Sequence, residues 1–520
     1  MAILANDQDQ VRYLLKHHPA ALNERNLLGQ SPLHLAANRP SCLRILAPAA
    51  DSTLLNDTDR SGKSALGAAL LLSASRCRNG VSRRRCRRCR CAESAIILTK
   101  ANCALPMPEE GSLQSLLKKI SQRCKLRYIR YFRDRREILK QLALQNFSEM
   151  EAEHLGLRSL RVLDSLAPQV VKLLQQRGVQ IPAALAIEAA ALTETPPTPS
   201  VYQALWNSYD AEMFFKLGFQ DTDAWGGGDR RSCQVHHAPP LSYVRWLALR
   251  GVDPLFRMRP ESGRGIFTAH HTFWRLGQEF LYGKSQFLTA HKAWTHELSV
   301  AGLRADIRDN CRCRCSLASC TPLIYMLKGM FQTSGSRFGH RDEAVVRATA
   351  RAVLVFTDYL SFFEADLDIG HHLAALRFFT FSLLGIPHRC GDPFSFEKDS
   401  CTCRALPSTE VDETQDEHAY ELALLEDLMD EFEDEITTIL QGPDRRAIVV
   451  VDFWRHSYLK RMREIQEQLR GNDLSEGERR AAEEIGVVWD RGEPTQPGTE
   501  NPHDEATLDH WIYELEKIEG

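Results

Sequence analysis

The chain has 520 residues, of which 43% are hydrophobic and 8% aromatic, so it can form three or four domains with ordinary apolar cores. Its formal net charge of −3 excludes a strong overall electrostatic preference for nucleic acid or an anionic membrane. The N-terminus lacks the features of a secretory signal, and the most apolar run, at 378–386, is too short to span a bilayer. We therefore expect an intracellular protein, cytoplasmic or nuclear, that is not secreted and does not bind membranes. Its 15 cysteines should be reduced or metal-bound.

A short phrase near the start of the chain recurs 33 residues later. The residues from Gly29 are GQSPLHLAA, and those from Gly62 are GKSALGAAL. Each phrase predicts a turn that contains a glycine with positive φ, followed by a helix capped by serine. A similar capped start occurs at Thr321. The residues that define these units are Gly29, Ser31, Pro32, Leu33, His34, Gly62, Ser64, Leu66, Thr321, Pro322 and Leu323.

This period and pattern resemble the ankyrin-repeat family, whose unit is a β-turn followed by two antiparallel helices. Glycine-terminated apolar helices at 170–182 and 241–254 resemble further, degenerate units. The resemblance implies an all-α fold with an ankyrin-type helical repeat array, partly degenerate, and an α-helical C-terminal domain. The sequence SGKS at 61–64 is similar to the end of a phosphate-binding loop, but in the ankyrin resemblance it falls on a repeat turn. The alternative is a non-repeating helical protein with chance matches.

Changes in composition divide the chain into five predicted segments. These are N-terminal repeats at 1–104 with an insertion rich in arginine and cysteine at 76–91, helical degenerate repeats at 111–192, degenerate repeats at 201–335 with a cysteine-rich stretch at 311–320, a helical C-terminal domain at 340–470, and a mostly flexible tail at 471–520. Residues 410–435 hold thirteen acidic residues and no lysine or arginine, yet their apolar residues keep helical spacing. This pattern predicts an amphipathic acidic helix that forms a hairpin with the helix after it and docks on the repeat array or, alternatively, forms a groove that binds a partner.

The insertion at 76–91 carries a dense basic run. Its central residues are Arg83, Arg84, Arg85, Arg87 and Arg88. Neighbouring glycine and serine predict an exposed loop. A nuclear import signal or a phosphate contact is the functional interpretation, and it admits a nucleic-acid partner. The alternative is a solvated insertion without a partner.

Four cysteines fall within ten residues and form the strongest chemical cluster in the sequence. They are Cys311, Cys313, Cys315 and Cys320. Four thiolates can bind one tetrahedral zinc ion, although the Cys-x-Cys spacing is tighter than that of the usual zinc knuckle. The alternative is a reduced, cysteine-rich turn before the helix at Thr321. There are two weaker groups. One is Cys86, Cys89 and Cys91, with Cys77 upstream, and the other is Cys390, Cys401 and Cys403.

Three motifs together resemble those of filamentous-fungal ankyrin-repeat proteins. They are the segments Cys311–Pro322, Arg377–His388 and Leu425–Glu433, with Ser319 where those proteins have glycine. The resemblance implies no particular reaction, and the familiar metalloprotease, hydrolase and dinucleotide motifs are absent from the sequence. We therefore expect a non-enzymatic adaptor or scaffold that binds one or more proteins through its repeats, accessory to a fungal biosynthetic or regulatory pathway. No cofactor is expected beyond the structural zinc alternative. Two other hypotheses remain: a nuclear transcriptional regulator or co-regulator that uses the arginine-rich loop, and a zinc- or thiol-dependent enzyme.

Overall fold

The fold is taken from a computed structural model of the chain. The residues it describes are 1–77, 90–105, 112–185, 200–205, 207–222, 240–253, 255, 268–281, 286–305, 307–309, 313–317, 319–331, 343–363, 367–388, 408–442, 447–471, 477, 480, 481 and 484. Several sequence interpretations therefore fall outside the described residues: those that concern Arg83, Arg84, Arg85, Arg87, Arg88, Cys86, Cys89, Cys311, Cys390, Cys401, Cys403 and most of the tail at 471–520.

Over the described residues the fold is all-α, as the sequence predicts. Extended pairing there is confined to two isolated bridges, Thr58 with Ser64 and Leu317 with Ser319. No helix in this part of the chain combines the length and the apolar content that a membrane span requires. The chain divides into two compact units, Met1–Asp253 and Pro254–Gly520. This division lies inside the segment 201–335 that composition grouped together.

The first unit consists of short helices and one long helix. Its α-helices are α1 (Ala2–Ala5), α2 (Gln8–His17), α3 (Pro32–Ala36), α4 (Pro40–Leu46), α5 (Ser52–Asn56), α6 (Ala65–Arg76), α7 (Glu93–Lys100), α8 (Ser112–Lys119), α9 (Gln122–Asn146), α10 (Glu149–His154), α11 (Ala167–Gln176), α12 (Ser208–Lys216) and α13 (Leu241–Ala248). Short 3₁₀ segments lie at Pro19–Asn23, Ala47–Ala49, Ala183–Leu185 and Val201–Ala204. Most of these α-helices are short, so their stability depends on packing of their apolar faces more than on intrinsic helix propensity.

One apolar core runs through the first unit from α2 to α13. Val11, Leu66, Tyr128 and Phe214 are all buried in it. This core continues across the predicted segment boundaries at 104–111 and 192–201. A second buried cluster joins the C-terminal half of α9 to α10 and α11. The long helix α9 therefore contributes to both clusters.

The second unit is built from longer helices. Its α-helices are α14 (Thr268–Leu281), α15 (Gln286–Ala290), α16 (Lys292–Arg304), α17 (Pro322–Met330), α18 (Glu343–Phe363), α19 (Ile369–Leu383), α20 (Ser408–Glu417), α21 (Ala419–Gln441), α22 (Ala447–Asp452) and α23 (Leu459–Gly471). A π-helical segment, Phe453–Tyr458, lies between α22 and α23.

Helix α19 is the central element of the second unit. Residues 375–383 of α19 are buried without exception. The acidic segment predicted as one helix at 410–435 falls on two helices, α20 and α21, which are separated at His418. The apolar stripe of α21, which includes Leu425 and Phe432, is buried while its acidic face is largely exposed. On the π-helical segment, the fully buried Trp454 packs against Phe356 and Phe379. The apolar stripes of α21 and of the segment Phe453–Tyr458 are therefore buried within this unit.

Candidate functional site

The two repeated turns of the first unit have the same hydrogen bonding. Asn26 Oδ1 accepts from the backbone N–H groups two and four residues later, at 3.0 and 2.9 Å. Asp59 Oδ1 accepts in the same way, at 2.9 and 3.0 Å. Gly29 and Gly62 follow three residues after these side chains, with φ of 75° and 73°. An Asx side chain and a glycine in the left-handed region therefore form each turn.

His34 connects the first turn and helix to the second turn. Its Nδ1 accepts from the backbone N–H of Ser31 at 3.2 Å and lies 2.8 Å from the Ser31 hydroxyl. Its Nε2 lies 2.8 Å from the carbonyl oxygen of Lys63 and donates to it. Leu33 and Leu66 are fully buried behind these contacts, and Ser64 caps α6 by accepting from Gly67 N at 3.2 Å. These repeat-defining residues therefore have structural roles.

The tips of the two turns lie side by side. Arg60 N–H donates to the carbonyl oxygen of Leu28 at 3.0 Å, and Arg25 forms an ion pair with Asp57 at 2.5 Å. At the first tip, Leu27 is 87% exposed and Leu28 is 62% exposed. Two adjacent leucines thus face solvent where the backbone is fixed by its own hydrogen bonds.

The predicted capped start at Thr321 lies in the second unit. Thr321 Oγ1 accepts from Ile324 N at 3.5 Å, and Pro322 and Leu323 are buried at the beginning of α17. Ser319, which stands at the expected glycine position, has φ of 84°. A serine in this region is strained, so the surrounding contacts must hold the turn in place.

The cysteine-rich loop before α17 brings together thiols and an imidazole. The Sγ atoms of Cys313 and Cys315 and a ring nitrogen of His388 all lie within 4.8 Å of one another. Cys320 Sγ lies 4.0 Å from Cys315 Sγ, and the Lys328 ammonium lies 3.4 Å from Cys320 Sγ. The structure thus brings together three of the four cysteines singled out in the sequence, and it adds a histidine.

Hydrogen bonds fix the cysteine-rich loop on both sides. Asp309 Oδ1 accepts from Cys320 N at 2.8 Å, while Asp309 Oδ2 accepts from the Tyr325 hydroxyl at 3.0 Å. Arg377 Nε donates to the carbonyl oxygen of Arg314 at 2.9 Å. The same guanidinium donates to both carboxylate oxygens of Glu426 at 2.8 and 2.6 Å, and these hydrogen bonds lower the pKa of Glu426. The loop is therefore tied to α17, α19 and, through Arg377, to α21.

Hydrogen bonding selects the tautomer of His388. The Ser382 hydroxyl donates to the carbonyl oxygen of Phe378 at 2.8 Å. Because its one proton is used there, Ser382 Oγ accepts from His388 Nε2, which lies 2.9 Å away. Nδ1 then carries the lone pair that a metal ion requires. Such an outer partner is typical of histidine ligands.

Sequence reasoning did not assign His388, Arg377 or Lys328 to this cluster. His388 and Arg377 appeared only as the ends of a motif that supported a family resemblance. The resemblance pairs the segment Arg377–His388 with the segment Cys311–Pro322. That pairing suggests that the two segments are in contact, but it does not identify His388 as a ligand. Cys91 belongs to one of the two weaker cysteine groups. It is buried in the first unit, where its Sγ lies 3.1 Å from Ser121 Oγ.

Neither a scan against protein-family models nor a search of curated proteins finds a match to this chain.

Proposed function

We propose that the chain is a non-enzymatic adaptor that binds a partner protein through an ankyrin-type repeat surface in its first unit. The observation that carries the proposal is the pair of matching turns, with an exposed apolar tip on the first. In such arrays each repeat contacts its neighbours, and the turn tips and inner helices form an extended binding surface.

Three features support the ankyrin-type interpretation of residues 1–77. The turns repeat at the same spacing and with the same Asx and glycine geometry. His34 connects one repeat to the next through the Lys63 carbonyl. Ala36 on α3 and Leu66 on α6 are both fully buried, and these two helices contact each other.

The exposed leucines support protein binding at the tips. Their backbone is held by Asn26 and by the neighbouring turn, so Leu27 and Leu28 lose little backbone freedom when they contact a partner. Burial of both side chains would contribute a few kcal/mol of apolar transfer free energy, roughly 1.5 to 3 per residue. The nuclear regulator hypothesis rests on Arg83–Arg88, which lie outside the described residues.

The test compares capture by three full-length tagged proteins in extracts of the source organism. Wild type is compared with the double variant Leu27→Asp, Leu28→Asp and with Met150→Asp, a control at another exposed apolar position of the same unit, 78% exposed. We expect a protein that wild type and control capture equally and that the double variant captures at least about tenfold less, because two carboxylates would lose solvation in the contact. Circular dichroism must show equal folding. The proposal would be refuted if the double variant captured the same proteins as wild type to the same extent, or if wild type captured no protein reproducibly.

A further inference from the structure

We propose that Cys313, Cys315, Cys320 and His388 bind one structural zinc ion in the second unit. This site is distinct from the binding surface proposed for the first unit. It also differs from the ligand set that the sequence suggested, because His388 takes the place of Cys311.

The geometry of three of the four ligands is close to that of a tetrahedral ion. Zinc binds thiolates at about 2.3 Å and imidazole nitrogens at about 2.0 Å, which separates neighbouring ligand atoms by roughly 3.5 to 3.8 Å. The ligand atoms of Cys313, Cys315 and His388 already lie within 4.8 Å of one another. Cys320 lies 4.0 Å from Cys315 but is not part of that triplet, so its thiol must move toward the other ligands when the ion binds.

The same distances argue against a disulfide in this conformation. A disulfide requires its sulfur atoms at about 2.05 Å. The separation of 4.0 Å between Cys315 and Cys320 is far longer than that, and it is close to the separation of two thiolates on one zinc ion.

Charge and orientation also favour the Cys₃His set. Three thiolates and one divalent ion leave a net charge of −1, which the ammonium of Lys328 beside Cys320 can neutralise. The hydrogen bond with Ser382 leaves Nδ1 as the ring nitrogen that carries a lone pair, and a ring nitrogen of His388 lies within 4.8 Å of the Sγ atoms of Cys313 and Cys315. Softer sulfur and imidazole donors prefer zinc over magnesium or calcium.

The ion would join two segments that are far apart in the sequence. Cys313, Cys315 and Cys320 lie before α17, whereas His388 follows α19. An ion that binds this site in the folded protein and not in the unfolded chain would stabilise the folded state. The zinc ion would also hold the strained turn at Ser319 in place.

The first experiment measures zinc by mass spectrometry in full-length protein purified under reducing conditions without chelator. We expect Cys313→Ser, Cys315→Ser, Cys320→Ser and His388→Gln each to contain one equivalent less zinc per chain than wild type. Cys42→Ser, a buried cysteine of the first unit, is the matched control and should keep the wild-type content. Cys311→Ser should also keep it, which separates this ligand set from the four-cysteine alternative.

The second experiment remains decisive if a serine variant does not fold. Wild type and His388→Cys are freed of metal and titrated with Co²⁺, whose absorption reports tetrahedral sulfur coordination. We expect one equivalent to bind in each, with stronger thiolate-to-cobalt charge transfer in His388→Cys because a fourth thiolate replaces imidazole. Zinc content unchanged by the four ligand variants, loss in Cys311→Ser but not in His388→Gln, or no tetrahedral cobalt signal in wild type would overturn the proposal.

Discussion

At the scale of single residues, Asp164 is the clearest source of pH dependence in the first unit. Its carboxylate is buried and accepts from Val201 N at 3.2 and 3.1 Å. Burial raises its pKa from 3.8 to about 7, against the attraction of Arg136 and together with repulsion from Asp221. The folded protein therefore retains a proton at Asp164 over a pH range in which the unfolded chain has lost it.

This difference fixes the sign of the pH effect. Because the folded state binds more protons between the two pKa values, the stability that Asp164 contributes is fully present below 3.8 and is lost as pH rises toward about 7. Asn cannot ionise and can still accept from Val201 N–H. We expect the free energy of unfolding of Asp164→Asn, relative to wild type, to rise by roughly 1 to 3 kcal/mol between about pH 4 and about pH 8. Urea unfolding at several pH values measures this, and parallel curves for the two proteins would contradict it.

Residues with local partners could be assigned a role from the sequence, whereas a residue with distant partners could not. The roles of Gly29, Ser31 and Ser64 follow from local rules for turns and caps, because their partners lie within a few residues. His388 has its partners at Cys313 and Cys315, more than seventy residues earlier. Only the folding of α17 and α19 against each other brings these side chains together, so no spacing rule in the sequence could identify the fourth ligand.

At the scale of elements, the helices themselves were largely predictable and their crossings were not. Apolar spacing locates the buried stripe of α21, because that stripe follows the helical period. The π-helical segment Phe453–Tyr458 was not predicted, since the apolar spacing around Trp454 is compatible with an ordinary helix. The close crossing at Gly277 and Gly329 was not predicted either. In a sequence, a glycine within a helix indicates only a low helix propensity.

The two glycines explain how closely α14 and α17 approach. A Cβ atom at Gly277 would lie 2.0 Å from the carbonyl oxygen of Met326, and one at Gly329 would lie 2.0 Å from that of Trp274. Backbone atoms cannot move aside as a flexible side chain can. The crossing therefore requires glycine on both helices.

We expect Gly277→Ala and Gly329→Ala each to destabilise the protein by about 3 kcal/mol or more, because the added methyl group forces the helices apart. Gly370→Ala is the control, since its Cβ meets only a side-chain oxygen of Asp368 at 3.3 Å, within the first turn of α19. That change should be neutral or stabilising by up to about 1 kcal/mol. Chemical denaturation measures all three, and equal effects of the three substitutions would show that the crossing is not limited by glycine.

Across the chain as a whole, the apolar core of the first unit extends beyond a single compositional segment. Composition separates residues 1–104 from those that follow, but their contacts continue beyond that point. The Tyr131 hydroxyl donates to the carbonyl oxygen of Cys103 at 2.9 Å, and Ser121 N donates to Ser73 Oγ at 3.1 Å. Apolar packing also crosses this boundary. Charge and proline content do not reveal such packing, because a shared core depends on which helix faces meet in three dimensions.

The buried ion pair of Lys125 and Asp210 joins residues on either side of the second predicted boundary, at 192–201. The Lys125 ammonium donates to both carboxylate oxygens, at 2.8 and 3.1 Å, and joins α9 to α12. Loss of one partner would leave an uncompensated buried charge, which typically costs about 3 to 5 kcal/mol. A fragment that ends between residues 192 and 201 would therefore be destabilised twice, by lost apolar packing and by the unpaired lysine.

These contacts predict that a fragment of residues 1–253 folds alone, whereas residues 1–104 do not. The longer fragment keeps the core from α2 to α13 and the ion pair, so its thermal unfolding should be cooperative. The shorter fragment loses Tyr128, Phe132 and Phe214 from its core and should show no cooperative transition. Circular dichroism during heating distinguishes the two, and Asp164→Asn should produce the same pH effect in the longer fragment as in the full chain. A cooperative transition in 1–104 would instead mean that the repeats near the N-terminus form a core of their own, and failure of 1–253 to fold would mean that this unit depends on the rest of the chain.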